Sequence, residues 1–296
     1  MARPSIQSNL RSFRSIRCTR SYSLISSKSL AVQDYPAPHT GVIRVLSLNK
    51  FETRNAISRN LLKDLRSEVV KIEGQSRDSC TPVRAAIIAS ALDNCFCAGA
   101  DLKERLGFTR AESAAFLDSL RSTLRLIEDL PVPSIAAVSS VALGGGLELA
   151  MATSLRVFAR TAVVGLPETR LGIIPGAGGT YRLGRLIGKS HAKDLILTGR
   201  RVDADEAFRL GLCNRLVGTT NDTAEVARQQ ALTEALKLAT QICDGGPLGV
   251  RAALKAIDAG NEEGENAQYE TVIDTDDRNE ALLAFKEKRK PAFIGR

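Results

Sequence analysis

Histidine is scarce in this 296-residue sequence: there are two, His39 and His191. No G-x-S-x-G elbow accompanies them, so Ser-His-Asp hydrolysis has little support. His191 lies in the polar stretch Gly188-Lys189-Ser190-His191-Ala192-Lys193 and reads as a surface residue at a helix start. The six cysteines, Cys18, Cys80, Cys95, Cys97, Cys213 and Cys243, contain no C-x-x-C pair. No zinc pattern or disulfide framework follows, and no metal site is expected. A run of 18 apolar residues is also missing, which removes a helical membrane span. What these absences leave for acid–base chemistry is the carboxylates.

Acid is absent before Asp34, and that absence explains most of the net charge of +8. Arg3, Arg11, Arg14, Arg17, Arg20 and Lys28 precede residue 34, leaving 35 basic against 33 acidic residues, or +2, in the rest of the chain. The same stretch is rich in serine, from Ser5 to Ser29, and has no apolar core of the secretory kind. Arg-rich, Ser-rich and acid-free is the composition of an organelle transit peptide, so residues 1–33 are expected to be an import segment and are left out of fold reasoning. Arg20-Ser21-Tyr22-Ser23 resembles a mitochondrial processing site with cleavage after Tyr22, which gives the mitochondrial matrix as the expected location. A disordered basic tail is the plainer alternative.

Residues 34–40, with Pro36 and Pro38, read as a linker. Gly41 to Leu48 then alternates apolar and polar residues as a strand does. Leu61, Leu62, Leu65, Val69 and Ile72 mark a helix from Ser58 to about Gly74. Val83–Ser90 is a continuous apolar strand, and Phe116, Leu120, Leu124, Ile127 and Leu130 form one face of a helix over 110–130. Ser134 to Ser139 is another buried strand, after which Gly144-Gly145-Gly146 opens a helix through Met151. Strand–loop–helix units recurring in this way indicate an α/β fold with right-handed crossovers over residues 41–189. From 190 to 296 the pattern is of helices alone, at 190–198, 204–210, 223–243, 247–259 and 276–290.

Two glutamates stand out. Glu148 lies in Ala142-Leu143-Gly144-Gly145-Gly146-Leu147-Glu148-Leu149-Ala150-Met151, surrounded by apolar residues and glycine. An ionisable group in such a helix is costly unless neutralised or paired, and often has a shifted pKa and a chemical task. Glu168, in Gly165-Leu166-Pro167-Glu168-Thr169-Arg170, is similar, although Arg170 or Arg182 could pair with it for stability alone. Together the two could form a carboxylate pair for general acid–base work. The triple glycine lets backbone come close to a ligand, and free N–H groups at a helix start favour developing negative charge. Cys97-Ala98-Gly99-Ala100-Asp101 is a second donor turn, and two N–H groups converging on one oxygen would make an oxyanion hole. Gly176-Ala177-Gly178-Gly179 lacks both the spacing and the preceding strand of a dinucleotide loop.

Cys97 to Lys103, Ala142 to Ala150, Pro167-Glu168 and Leu171 to Thr180, taken in order, resemble the crotonase (enoyl-CoA hydratase/isomerase) superfamily. The similarity continues through Leu197-Thr198-Gly199-Arg200 and Ala204-Asp205-Glu206-Ala207 to Asp277-Arg278 and Ala284 to Arg289, covering residue 41 to the C-terminus. The resemblance implies an α/β spiral of β-β-α units, a helical C-terminal trimerisation region, and trimers that pair into hexamers. It implies an enoyl-CoA hydratase adding water across the 2,3 double bond, with no separate cofactor because CoA is part of the substrate. Ala100 and Gly145 would supply the oxyanion-hole N–H groups. Glu148 would activate water, and Glu168 would deliver the proton to C2. Ala98, Gly99, Asp101, Leu102 and Lys103 would lie along the CoA moiety. Phe285 and Lys288 would reach the adenine nucleotide, on the same or a neighbouring subunit. The chain departs from the family at Ser139-Ser140, where many members have Asn-Gly or Asp-Gly, and at Thr153-Ser154, where Cys-Asp is common.

Three alternatives remain at this level. Ala98 to Arg105 and Leu130-Pro131-Val132-Pro133 look most like the methylglutaconyl-CoA hydratase branch, which acts in leucine breakdown. An enoyl-CoA isomerase would use the same scaffold. An RNA-binding role would draw on Arg54, Arg59, Lys63 and Arg66, but Asp64 and Glu68 dilute that stripe and no aromatic residues are interleaved for base stacking.

Overall fold

The computed structural model describes residues 25–26, 29–76 and 82–296. In chain order the elements are β1 (Ile25–Ser26), β2 (Leu30–Pro36), β3 (Val42–Leu48), α1 (Arg59–Gln75), β4 (Val83–Ser90), β5 (Cys95–Cys97), α2 (Leu102–Arg105), α3 (Arg110–Glu128), β6 (Ser134–Val138), β7 (Val141–Leu143) and α4 (Gly145–Met151). They continue with β8 (Leu155–Ala159), β9 (Val163–Gly165), α5 (Gly179–Thr198), β10 (Arg201–Asp203), α6 (Ala204–Arg209), β11 (Arg215–Val217), α7 (Ala224–Cys243), α8 (Pro247–Ala259), α9 (Glu262–Glu270) and α10 (Asp276–Glu287).

A seven-stranded sheet runs β1-β2-β3-β4-β6-β8-β11, and a four-stranded sheet runs β10-β9-β7-β5. The strand pairs β4/β5, β6/β7 and β8/β9 each contribute one strand to each sheet before a helical segment follows, so the chain winds as a spiral of β-β-α units. Sequence dictates this locally. All eight residues of β4 are buried, as expected for a strand covered on both faces. Alternate residues then serve two cores: Ala86 and Ile88 point towards α1 and α3, while Ala85, Ile87 and Ala89 face the opposite side. On that opposite side Ala227, Ala231, Ala235 and Ala239, spaced four apart on α7, pack against the sheet. Helix α1 is capped by Ser58 and α3 by a Thr109–Glu112 capping box.

Several expectations are corrected here. Residues 34–36 are not linker: they complete β2, which pairs antiparallel with β3 from Leu30↔Leu48 to Pro36↔Val42. The large sheet therefore includes Ile25–Ser26 (β1) and Leu30 to Gln33 (in β2) of the expected import segment; residues 1–24 and 27–28 of that segment lie outside the described residues. The region after 190 is not helical alone. Strand β10 joins the small sheet and β11 the large one, both too short to show a period. Helix α7 belongs to the α/β body, since its alanine face covers the large sheet. The division at 189/190 falls inside α5, next to the break at Gly188 (φ 80, ψ 154). Helix α9 was not anticipated, its sequence EEGENAQYE carrying no apolar stripe.

Of the two departures from the family pattern, Ser154 is accommodated by hydroxyl bonding, whereas the Ser139 and Ser140 hydroxyls are buried with no hydrogen-bond partner among the described residues. The Ser134 and Ser154 hydroxyls each accept the other residue's backbone N–H, at 3.2 and 3.0 Å. Among the described residues no helix is long and apolar enough to cross a membrane.

The close seat of α4 makes one stability prediction. A Cβ on Gly146 would overlap the Cys97 carbonyl oxygen of β5. Gly146→Ala is expected to lower the unfolding free energy by about 2–3 kcal/mol, since a well-packed core yields only by moving backbone. A wild-type urea midpoint in that variant would overturn the assignment.

Candidate active site

Strand β5 ends at Cys97, and the turn that follows is held against the segment before α1. Ala98 N–H donates to Arg54 O (3.1 Å), Ile57 N–H to Gly99 O (2.7 Å) and Asp101 N–H to Ile57 O (3.2 Å). The Ala100 N–H is left out of this ladder and has no hydrogen-bond acceptor among the described residues. The other donor comes from the start of α4. Gly144 takes φ 51, ψ −124, a conformation that glycine tolerates, and turns the chain from β7 into the helix. Gly145 then offers its N–H as the first residue of α4, also without an acceptor among the described residues. The two turns are packed together: a Cβ on Gly99 would lie 3.4 Å from Gly145 N, and one on Gly145 3.6 Å from Ala100 N. Two free amides side by side are what an oxyanion requires.

Both glutamates face the same cavity of about 870 Å³ as these turns. Glu148 is 2% exposed. Its Oε1 accepts the N–H groups of Ala177 (2.8 Å) and Gly179 (2.7 Å), the latter at the first residue of α5. Burial raises its pKa, and those two N–H groups and the charges of Arg182 and Arg121 oppose the rise. The carboxylate form is thus supported by donors and by the positive end of a helix. Gly179 must be small for this, since a Cβ there would stand 2.9 Å from Glu148 Oε1. The Gly176 to Gly179 run, which matched no dinucleotide loop, is a cradle for a carboxylate.

Glu168 sits in a single 3₁₀ turn, Pro167–Leu171, at the end of β9. It is 9% exposed, and its Oε2 is buried with no hydrogen-bond partner among the described residues. Burial pushes its pKa up to about 7, and the nearby Glu148 charge pushes in the same direction. The stabilising ion pair considered for it does not form. Arg182 instead binds Glu128 (Nε to Oε2, 3.1 Å) and Ala177 O (2.8 Å), and Arg170 donates to Thr198 O (2.7 Å). Both carboxyl pKa values are raised by burial, but Glu148 has two N–H donors to support its anion and Glu168 Oε2 has none, a difference suited to a base and an acid.

Of the residues assigned to the CoA moiety, Ala98, Gly99 and Leu102 border the cavity. Asp101 is 8% exposed and caps α2, its Oδ1 accepting Glu104 N–H at 3.2 Å, with Lys50 Nζ 3.8 Å from Oδ2. Lys103 is exposed on α2 and does not border the cavity. Phe285 is 85% exposed on α10 and Lys288 ends that helix; neither is brought to the cavity of its own chain.

Asn55 was missed, having been read only within a basic stretch. It is fully buried at φ 56, its Nδ2 donating to Ser90 Oγ (2.9 Å) and Phe96 O (3.0 Å), and its Oδ1 accepting Lys50 N–H (2.8 Å). It anchors the segment that positions Ala100. An Asn flanking a turn is the signal that could have found it. In the same basic stretch, Arg59 lies over the Phe108 ring and pairs with Glu112, and Arg66 donates to Ser122 Oγ. Two of the four cations proposed for RNA are therefore engaged by α3 and the turn before it. Among the described residues no cluster of three or more His, Cys, Asp or Glu side chains is placed to hold a metal.

Comparison with known proteins gives the family and the fold. The enoyl-CoA hydratase/isomerase family model matches residues 39–296. A methylglutaconyl-CoA hydratase 1, mitochondrial, from Pyricularia oryzae is 53% identical over 90% of this chain and 87% of the relative. A probable enoyl-CoA hydratase 2, mitochondrial, from Arabidopsis thaliana is 41% identical over 94% and 93%. The crystal structure of an enoyl-CoA hydratase from Bacillus anthracis superposes with a TM-score of 0.81 at 40% identity, covering 90% of this chain and all of that one.

Proposed function

The chain belongs to the enoyl-CoA hydratase/isomerase family of hydro-lyases, and from that premise we propose that it adds water across the 2,3 double bond of a 2-enoyl-CoA thioester. The observation that carries this reading is the meeting of two buried carboxyls, one accepting two backbone N–H groups and the other with a bare oxygen, with two free amides on one cavity. The thioester oxygen accepts the N–H groups of Ala100 and Gly145. Glu148, held as the carboxylate, takes a proton from water as its oxygen bonds to C3. The electron pair of the double bond moves towards the thioester, whose oxygen gains enolate charge against the two amides. Glu168 then gives its proton to C2. A proton relayed from Glu148 to Glu168 through the next bound water resets the pair. Ala98, Gly99 and Leu102 lie along the pantetheine arm.

Retention of both glutamates favours hydration over isomerisation, since moving a double bond needs only one group to take up and return a proton. Purified protein offered crotonyl-CoA in isotope-labelled water is expected to consume the conjugated enoyl absorbance and place the label in the product. Offered a 3-enoyl-CoA, it should give little double-bond migration. Migration without label uptake would overturn the reading in favour of an isomerase.

A more specific reading, as a methylglutaconyl-CoA hydratase, is favoured by the 53% identity to the Pyricularia oryzae enzyme. The mitochondrial designations of that relative and of the Arabidopsis thaliana one, together with the acid-free basic N-terminus, support a matrix location. Exposed Ile257, Tyr269, Leu282, Leu283 and Phe285 on α8 to α10 support assembly into a homotrimer or hexamer through the C-terminal helices.

A further inference from the structure

Three consecutive carbonyls of the Glu148 cradle are held from behind. Gly176 O accepts Arg121 Nε at 2.7 Å, Ala177 O accepts Arg182 Nη1 at 2.8 Å, and Gly178 O accepts the Arg182 backbone N–H at 3.0 Å. The peptide units that carry Gly176 O and Gly178 O are those whose N–H groups, at Ala177 and Gly179, bind Glu148 Oε1. A bond to a peptide oxygen fixes the plane of that peptide and polarises its N–H towards the acceptor. The middle peptide joins the two, and the Arg182 guanidinium holds it.

Arg182 is 3% exposed and lies behind the cavity wall rather than on it. Its Nε and Nη2 donate to Glu128 Oε2, at 3.1 and 2.5 Å, on the last residue of α3. A buried ion pair adds little to stability by itself, since desolvation consumes most of the attraction. What this pair supplies is aim: a planar guanidinium holds Glu128 with one edge and Ala177 O with another. Gly178 leaves room for it, as a Cβ there would overlap Arg182 Nη1.

We propose that Arg182 is a positioning residue for the base Glu148: braced by Glu128, it fixes the peptides from Ala177 to Gly179 so that both N–H groups stay on the carboxylate. The assignment of Glu148 as the base rests on the hydratase reading above. The other charged or titratable groups around Glu148 are Glu168 in the turn after β9, Arg121 and Arg125 on α3, Arg105 on α2 and Tyr181 on α5.

The test follows Glu148 in the wild type, Arg182→Met and Arg182→Lys by two readouts. One is the pH profile of kcat/KM for crotonyl-CoA. The other is the carboxylate infrared band, taken as the difference between each protein and its counterpart carrying Glu148→Gln, which needs no turnover. In Arg182→Met the acidic limb and the band midpoint should both rise by about one pH unit, as aimed donors and a nearby positive charge are lost. Its kcat should fall about 10-fold from a slackened base, with KM nearly unchanged. Arg182→Lys keeps the charge without the planar grip, so a smaller rise there isolates aim from charge. Unshifted midpoints in both variants would overturn the proposal and leave Arg182 a structural residue. A shift in Arg182→Met with none in Arg182→Lys would overturn it in favour of charge alone. Should Arg182→Met not fold, the midpoint of Arg182→Lys decides. If the wild type leaves crotonyl-CoA unhydrated, the hydratase reading fails, while the infrared midpoints still decide whether Arg182 positions the Glu148 cradle.

Discussion

Glu148→Gln lowers kcat for hydration of crotonyl-CoA by about 10²–10⁴-fold, the range for removing a positioned general base. The amide is nearly isosteric, and its carbonyl oxygen can still accept the N–H groups of Ala177 and Gly179 that hold Glu148 Oε1. What is lost is the ability to take a proton from water. KM should therefore change little, because the cavity residues proposed for the pantetheine arm, Ala98, Gly99 and Leu102, and the free amides of Ala100 and Gly145 are untouched. Steady-state kinetics with near- and far-ultraviolet circular dichroism check this. A folded variant with the wild-type rate would remove Glu148 from the mechanism.

Glu168→Gln loses about 10²–10⁴-fold as well, with a different signature in pH. Its pKa of about 7, raised by burial and by the Glu148 charge from the ordinary 4.5, means that the acid form prevails below neutrality. In the wild type kcat/KM for hydration should fall as pH rises through about 7 and the proton for C2 is lost. The variant should lack that limb. Stability moves in the same window. A carboxyl whose folded pKa is raised is bound without penalty below about 4.5, and its ionisation destabilises the fold as pH rises towards and past 7. Glu168→Gln should remove that part of the pH dependence, so its unfolding midpoint should exceed the wild type's above pH 7. A variant that kept both the wild-type rate and the alkaline limb would refute the role. The unfolding measurement separates a misfolded protein from an inactive one.

Much of the architecture is legible in residue order. Val83–Ser90 reads as a buried strand and is one to its last residue, because its apolar run Ala85 to Ala89 has the length of a strand and not of a helix. The stripe Leu61, Leu62, Leu65, Val69 and Ile72 marks α1, and Thr109 with Glu112 marks the start of α3. The illegible parts are those whose sequence carries no period. β10 and β11 have three residues each, and pair with β9 and β8 only once the spiral has brought those strands alongside. Pro36 and Pro38 suggest a linker, but an edge strand tolerates proline, and β2 ends on Pro36.

By itself the sequence pointed to carboxylates for acid–base chemistry and showed which two are out of place. Glu148 is flanked by apolar residues and glycine, and burial of that helix follows from composition alone. It also located most of the +8 ahead of residue 34. Only the tertiary structure decided how each carboxyl is held. Glu148 is held by amides 29 and 31 residues further along the chain, whereas Glu168 is left with a buried oxygen and, among the described residues, no counterion, because Arg182 turns to Glu128. A pKa is a property of the surroundings, and here those surroundings are assembled from separate strands and helices, so no reading of neighbours in sequence could assign the acid and the base.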